Sequence, residues 1–170
     1  MTKSAFHKQK DFLAAIGRVT INFAALERRL HWLAWFLIGG NHPEVPPCTT
    51  VDLSFGKLVR LVGSLHLVRE KDQAVTDELS AILTRAYQVE EKRNTITHSD
   101  WGSTSESLVR FKARAKGQKK KSKALRWDLE KITVDQIEDV ARLIEDVTAD
   151  LDSFTRKRKY NFSSKPEDET

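Results

Sequence analysis

The chain has little of what stabilises small secreted proteins or membrane proteins. It contains one cysteine, Cys48, in 170 residues, which excludes an internal disulfide framework and favours a reducing, cytoplasmic location. Its most apolar stretch, residues 32–38, is far shorter than the roughly 20 residues that cross a bilayer. The first ten residues are basic with no apolar run behind them, so we expect neither a secretory leader nor a membrane partner.

Several familiar types of site are also missing. Five scattered histidines and one cysteine give no metal-ligand spacing, so no metal or other cofactor is expected. The seven glycines form no phosphate-binding loop, and neither a nucleophile elbow nor an acidic constellation for two-metal chemistry is visible. Any chemistry must therefore come from ordinary polar side chains.

The positive charge is concentrated in one segment. The net charge is +5, but residues 107–131 contain ten Lys and Arg against two acidic residues, which leaves +8 there and −3 for the rest. A basic arm on a nearly neutral body favours a polyanion partner such as RNA. A solubilising surface loop is the alternative explanation.

Apolar residues recur at helical spacing in four segments. The first ends at Gly39, and a proline-rich loop is expected over residues 41–50. Further helices are predicted from about residue 54 to 68, from about residue 75, and from Thr133, which has capping-box spacing with Gln136. The apolar stripe of the first helix comprises Phe12, Ile16, Val19, Phe23, Leu26, Leu30, Leu33 and Leu37.

Three aromatic residues, Trp32, Trp35 and Phe36, lie off that stripe. The first helix is therefore either deeply buried or shared with a second subunit.

Between the third and the last long helix the apolar period changes to that of strands. Val109 and Phe111 alternate with basic residues, and Trp127 and Leu129 alternate with charged ones, which predicts a β-hairpin with an apolar face on the helices and a charged face in water. Its basic residues are expected to neutralise RNA phosphates. They are Arg110, Lys112, Arg114, Lys116, Lys119, Lys120, Lys121 and Lys123.

A polar cluster ends the third helix, where Arg93 occupies a position at which the core stripe should continue. Residues 93–98 resemble the signature of the HEPN superfamily, an Arg, usually followed by a polar residue, with a His four to six residues beyond. The resemblance implies an all-α, HEPN-like bundle of four to five helices with the β-hairpin inserted between the third and last long helices. It would form one domain over residues 4–158 that includes the hairpin at 107–131, and residues 160–170 are expected to be a disordered tail.

Catalytic members of that family cleave RNA without a metal, so the resemblance implies Arg93, Asn94 and His98 as catalytic residues. His98 would act as general acid/base, and Arg93 would stabilise the scissile phosphate through two hydrogen bonds. The products would be a 2′,3′-cyclic phosphate and a 5′-hydroxyl. Asn94 would orient the phosphate or His98, and Glu27 on the first helix is a supporting candidate because some HEPN families have an acidic residue there.

The resemblance further implies a toxin or defence effector, a homodimer with a composite cleft and an antitoxin protein as a further partner. Two alternatives remain open. One is a non-catalytic RNA- or nucleotide-binding module of the same fold, and the other is a helical dimer that acts as the partner of another protein.

The spacing of the motif raises two further points. Arg60 and His66 match it as well, but Leu61 follows Arg60 and the pair lies inside the second helix. Five residues of an ideal helix turn through about 500°, so Arg93 and His98 would diverge by about 140°. They can meet only if the helix ends near Thr97 or if the site is shared across a dimer.

Overall fold

The structure, a computed structural model, describes residues 3–40, 42, 44–103, 108–116 and 124–160. In chain order, the described residues form α1 (Lys3–Ile38), α2 (Val45–Thr50), α3 (Phe55–Arg69), α4 (Gln73–Thr97), β1 (Asp100–Ser103), β2 (Leu108–Lys116), β3 (Ala124–Lys131) and α5 (Val134–Lys157). The predicted helical bundle with an inserted hairpin is confirmed. A third strand, β1, was not predicted.

α1 is the longest helix, and it contacts α2, α3, α4 and α5. Its predicted apolar stripe is buried in the core, except that Ile16 is partly buried. Gly39 ends the helix with a φ of 62°, and its N–H donates to the carbonyl oxygen of Trp35 at 3.0 Å. Such a positive φ favours glycine, as is common just after a helix. Removing this stripe from water is therefore the main force that holds the bundle around α1.

The predicted loop over residues 41–50 is wrong in its second half, where the chain forms α2. Its first turn contains proline, which is favourable there because the missing N–H has no helical partner and the fixed φ suits a helix.

Trp35 donates from Nε1 to Oγ1 of Thr50 in α2 at 2.7 Å. The ring of Phe36 packs on that of Tyr160, with centroids 4.6 Å apart. These off-stripe aromatics thus have partners within the chain, and the homodimer stays a prediction.

The sheet is antiparallel with strand order β1-β2-β3. Within β2 and β3, Arg110 pairs with Glu130 and Phe111 with Leu129. Trp101 of β1 pairs with Arg110, and its ring meets that of Phe12 edge-on, with centroids 4.8 Å apart. The face that carries Trp101 and Arg110 is therefore the one that lies on the helices.

The predicted orientation of the hairpin is wrong for most of its described side chains. Phe111 and Leu129, expected on the inner face, are 37% and 64% exposed, whereas Arg110, expected in water, is 6% exposed. Val109 is buried, as expected. Arg110 forms an ion pair with Glu130 and donates from Nη1 to the carbonyl oxygen of Thr95 in α4 at 3.4 Å. This ion pair allows a charged residue to occupy the inner face.

The chain after α5 folds back onto the bundle at Tyr160, the residue at which the tail was predicted to begin. Its ring packs on Phe36 and on Phe154, and residues 161–170 of that predicted tail lie outside the described residues. None of the described helices is long and apolar enough to cross a membrane.

His66 on α3 is buried without a hydrogen bond. It is 2% exposed, its ring packs edge-on against Phe154 with centroids 5.7 Å apart, and neither ring nitrogen has a hydrogen-bond partner among the described residues. Burial lowers the pKa of His66, while Glu70 raises it and Arg158 lowers it further. Because Arg60 is exposed and His66 is buried, the second pair with the motif's spacing forms no shared surface.

We expect acid to destabilise the protein through His66. Below its ordinary pKa of 6.5, the unfolded state binds a proton that the buried ring takes up only at lower pH, so stability falls as the pH drops from 6.5 to the lowered native pKa. His66→Leu should remove this slope and raise the free energy of unfolding at pH 7 by about 1 kcal/mol, because two unsatisfied nitrogens are lost. Urea unfolding at several pH values, with the exposed His42→Leu as control, measures both effects. An unchanged slope in His66→Leu would contradict this explanation.

Candidate active site at the end of α4

α4 ends at Thr97, close to where the predicted convergence of Arg93 and His98 requires it to end. His98 is the C-cap residue, with φ −108° and ψ 15°, and its N–H donates to the carbonyl oxygen of Asn94 at 3.0 Å. Thr97 donates from Oγ1 to the carbonyl oxygen of Arg93 at 3.0 Å, and Ser99 donates from its hydroxyl to that of Thr95. Such hydroxyl contacts compete with helical hydrogen bonding and favour an end here.

The three predicted catalytic residues come together within one chain. Nη1 of Arg93 lies 3.4 Å from Nε2 of His98 and donates to Oδ1 of Asn94 at 2.9 Å. His98 is exposed, while Arg93 and Asn94 are half-buried. An imidazole and a guanidinium of the same chain therefore face one position at the surface.

The guanidinium of Arg93 is supported by an aromatic ring. Its central carbon lies 4.8 Å from the centroid of the Phe23 ring in α1, a distance suited to a cation–π contact. Its Nε is buried without a hydrogen-bond partner, and no carboxylate of the described residues forms an ion pair with it. The positive charge is thus oriented without an ion pair to a described carboxylate, which suits the binding of an anion.

Glu90, one helical turn before Arg93, is a half-buried acid that was not among the predicted site residues. Burial raises its pKa, Arg93 lowers it, and Glu27 and Glu91 raise it further. Residues three apart on a helix are neighbours, so the spacing of Glu90 and Arg93 in the sequence could have identified Glu90 as part of the site. Because the charges of Glu27 and Arg93 both reach Glu90, the supporting candidate Glu27 lies on this side of the bundle.

Glu27 itself belongs to a neighbouring cavity and forms no hydrogen bond or ion pair with Arg93. The cavity, of about 410 Å³, lies between α1 and α2. No described residue donates a hydrogen bond to the Glu27 carboxylate, which is half-buried. No direct contact between Glu27 and Arg93 therefore supports the predicted role of Glu27. The cavity is lined by Ala24, Glu27, Arg28, His31, Trp35, Pro47 and Val51.

Of the predicted RNA-binding residues of the hairpin, only Arg110 has a described side chain, and it is buried on the inner face of the sheet. Arg110 faces a second cavity, of about 650 Å³, between α4, the sheet and α5, where its partner Glu130 also lies. Its bond to the carbonyl oxygen of Thr95 places it near the last turn of α4, where a cation is favoured by the helix dipole. The side chains of Lys112, Arg114 and Lys116, and the residues Lys119, Lys120, Lys121 and Lys123, lie outside what the structure describes.

Comparison of the chain with protein-family models, with curated proteins and with solved structures finds no match. The resemblance to the HEPN superfamily therefore rests on residues 93–98 and on their position at the end of a helix in a helical bundle.

Proposed function

We propose that this chain is a metal-independent endoribonuclease in which Arg93 and His98 act on one phosphodiester. The observation that carries the proposal is the 3.4 Å separation of Arg93 Nη1 and His98 Nε2 at an exposed helix end. A phosphate oxygen bound by this guanidinium lies beside an imidazole, the side chain that most often serves as a general acid or base.

RNA supplies its own nucleophile, so the protein needs to move protons and stabilise charge. His98 removes the proton of the 2′-hydroxyl, the 2′ oxygen forms a bond to phosphorus, and the bond from phosphorus to the 5′ oxygen breaks. The 5′ oxygen takes a proton from solvent, and Arg93 stabilises the negative charge of the phosphorane. The products are a 2′,3′-cyclic phosphate and a 5′-hydroxyl, and His98 returns its proton to solvent.

Two neighbours position the guanidinium rather than touch the substrate. Asn94 accepts a hydrogen bond from Nη1, which fixes the plane of the guanidinium, and Phe23 supports its face. Both act before the substrate arrives, so little reorganisation is needed in the transition state. The homodimer, a cytoplasmic toxin or defence role and an antitoxin partner are proposals that rest on the family resemblance.

The test is cleavage of total RNA in EDTA, with mass spectrometry of the fragment ends. We expect wild type to give cyclic-phosphate ends and His98→Ala to lose roughly 10²- to 10⁴-fold in rate, the usual contribution of a general acid or base. His42→Ala, which removes an exposed histidine outside the site, should cleave like wild type.

Two outcomes would overturn the ribonuclease proposal. Cleavage that survives in His98→Ala would remove His98 from the chemistry. Intact RNA with every variant, combined with salt-sensitive RNA binding, would instead favour the non-catalytic binding module.

A further inference from the structure

The cavity between α1 and α2 presents hydrogen-bond acceptors that no other described residue uses. Glu27 and His31 lie four residues apart on α1, so both side chains lie on one face of the helix, and both line the cavity. The Glu27 carboxylate receives no hydrogen bond from any described residue. A half-buried carboxylate without a donor is a strong site for a ligand that brings donors of its own.

The hydrogen bonds of Thr50 fix the tautomer of His31. Thr50 donates from Oγ1 to the carbonyl oxygen of Pro46 at 3.1 Å, so its hydroxyl hydrogen is already used. The same oxygen accepts from Trp35 Nε1 at 2.7 Å and lies 3.2 Å from His31 Nδ1. With the hydroxyl hydrogen directed to Pro46, we assign the hydrogen of that contact to Nδ1, which leaves Nε2 of the neutral ring as a second acceptor. Burial lowers the pKa of His31, against the opposing effect of Glu27.

The remaining walls suit a flat, aromatic ligand. The indole of Trp35 is half-buried, and Pro47 and Val51 add apolar surface from α2 and the residue after it. The volume of about 410 Å³ lies in the range of small-molecule sites, about 300–1,000 Å³. Exposed Arg28 stands at the edge of the cavity, where it can meet a phosphate.

We propose that this cavity binds a guanine base, with the Glu27 carboxylate accepting hydrogen bonds from its N1–H and N2 amino group. Guanine carries these two donors side by side on its Watson–Crick edge, and they match the two oxygens of a carboxylate. Adenine and cytosine offer one amino group beside an acceptor, and uracil offers one N–H between two acceptors. Stacking on an aromatic side chain with hydrogen bonds to this edge is how unpaired bases are recognised in RNA.

The cavity is also placed to bind a base next to the scissile phosphate, a step that rests on the proposed function. Phe23, which supports Arg93, and Glu27, which lines the cavity, are four residues apart on α1 and thus separated by about 6 Å along its axis. A guanine nucleotide of the RNA could occupy the cavity while the neighbouring phosphate meets Arg93. A free guanine nucleotide presents the same base, so the two sources must be separated by experiment.

Calorimetric titration with GMP, AMP, CMP and UMP tests the base preference directly. We expect GMP to bind wild type at least tenfold more tightly than the others, and Glu27→Gln to lose roughly tenfold or more for GMP alone, because a bidentate contact is broken. Glu44→Gln, an exposed acid before α2 without a side-chain cap bond, is the matched control and should bind like wild type. Equal binding of all four nucleotides, or no effect of Glu27→Gln, would overturn the proposal.

Cleavage of short RNAs that contain a single G at successive positions separates the two sources. If wild type cuts at a fixed distance from the G and Glu27→Gln cuts without base preference, the cavity binds a guanine of the RNA substrate. Selective GMP binding with cleavage that ignores the G assigns it to a free nucleotide. If no RNA is cut but GMP binding still depends on Glu27, the proposed nuclease fails and the guanine site stands. His98-dependent cleavage without any preference for GMP or G would give the opposite result.

Discussion

Arg93→Lys is expected to lower the rate of RNA cleavage by about 10²-fold or more, the usual cost of removing an oriented donor from a transition state. The substitution keeps the positive charge but loses the planar group that packs on Phe23 at 4.8 Å and reaches Asn94 and His98 from one nitrogen. A lysine ammonium is a flexible point charge that cannot form two parallel hydrogen bonds to a phosphate. Geometry, and not charge alone, should therefore limit the rate.

Single-turnover cleavage rates at fixed pH measure this effect. Arg93→Ala should lose at least as much cleavage activity as Arg93→Lys. The control Lys92→Ala removes an exposed neighbouring cation. It should change the cleavage rate by less than about threefold, since a surface cation is largely screened. A lysine variant with nearly wild-type activity would show that any positive charge suffices and that the stacked arrangement has no catalytic role.

Phe154→Ala is expected to lower the free energy of unfolding by about 3–5 kcal/mol, the usual range for a buried phenylalanine. Phe154 is fully buried, and its ring contacts those of His66 and Tyr160 and lies under the guanidinium of Arg158, 5.6 Å from its central carbon. Its loss would leave a cavity where α3, α5 and the chain after α5 meet.

Urea unfolding compares Phe154→Ala with Leu143→Ala on the same helix. Leu143 is 39% exposed, so its truncation should cost less than about 1 kcal/mol. A loss below 1 kcal/mol for Phe154→Ala would mean that the surrounding residues close the cavity, and that the contacts around Phe154 add little to the stability of the bundle.

The long helices could be predicted because their periodicity reflects one buried face. α1, α3, α4 and α5 each carry an apolar stripe that lies in the core, and the predicted capping box of Thr133 and Gln136 is present at the start of α5. The end of α4 could also be predicted, because serine and threonine side chains near Thr97 compete for backbone carbonyls. These signals are local, so one sequence is enough to detect them.

The wrong predictions concern segments whose structure depends on residues that are distant in the sequence. Alternation in the hairpin shows that its two faces differ, but β1 decides which face is covered, and a strand of four residues is too short to show a period. Gly102 of β1 leaves room for Phe111 on the outer face, since a Cβ there would lie 2.5 Å from Cε2 of that ring. An ion pair with Glu130 then makes Arg110 acceptable on the inner face.

The site was predictable only in part for the same reason. Arg93, Asn94 and His98 lie within six residues, so their spacing and the helix end bring them together. Phe23 lies 70 positions from Arg93 in the sequence, and a core stripe does not reveal which of its rings will support a cation. Glu27 was selected by family resemblance, yet it lines the cavity beside α2, a helix that the proline content concealed.

The pairing of α1 with α5 has a consequence for synthesis on the ribosome. The ion pairs of Arg18 with Glu138 and of Arg29 with Asp152 join residues 120 and 123 positions apart. α1 therefore cannot complete its packing until α5 has been synthesised. At 5–20 residues per second, that delay is about 6–24 s, during which the apolar stripe of α1 needs shielding. Phe23 lies between these two ion pairs on α1. The Phe23 ring that supports Arg93 therefore reaches its final position only after α5 has emerged and paired with α1.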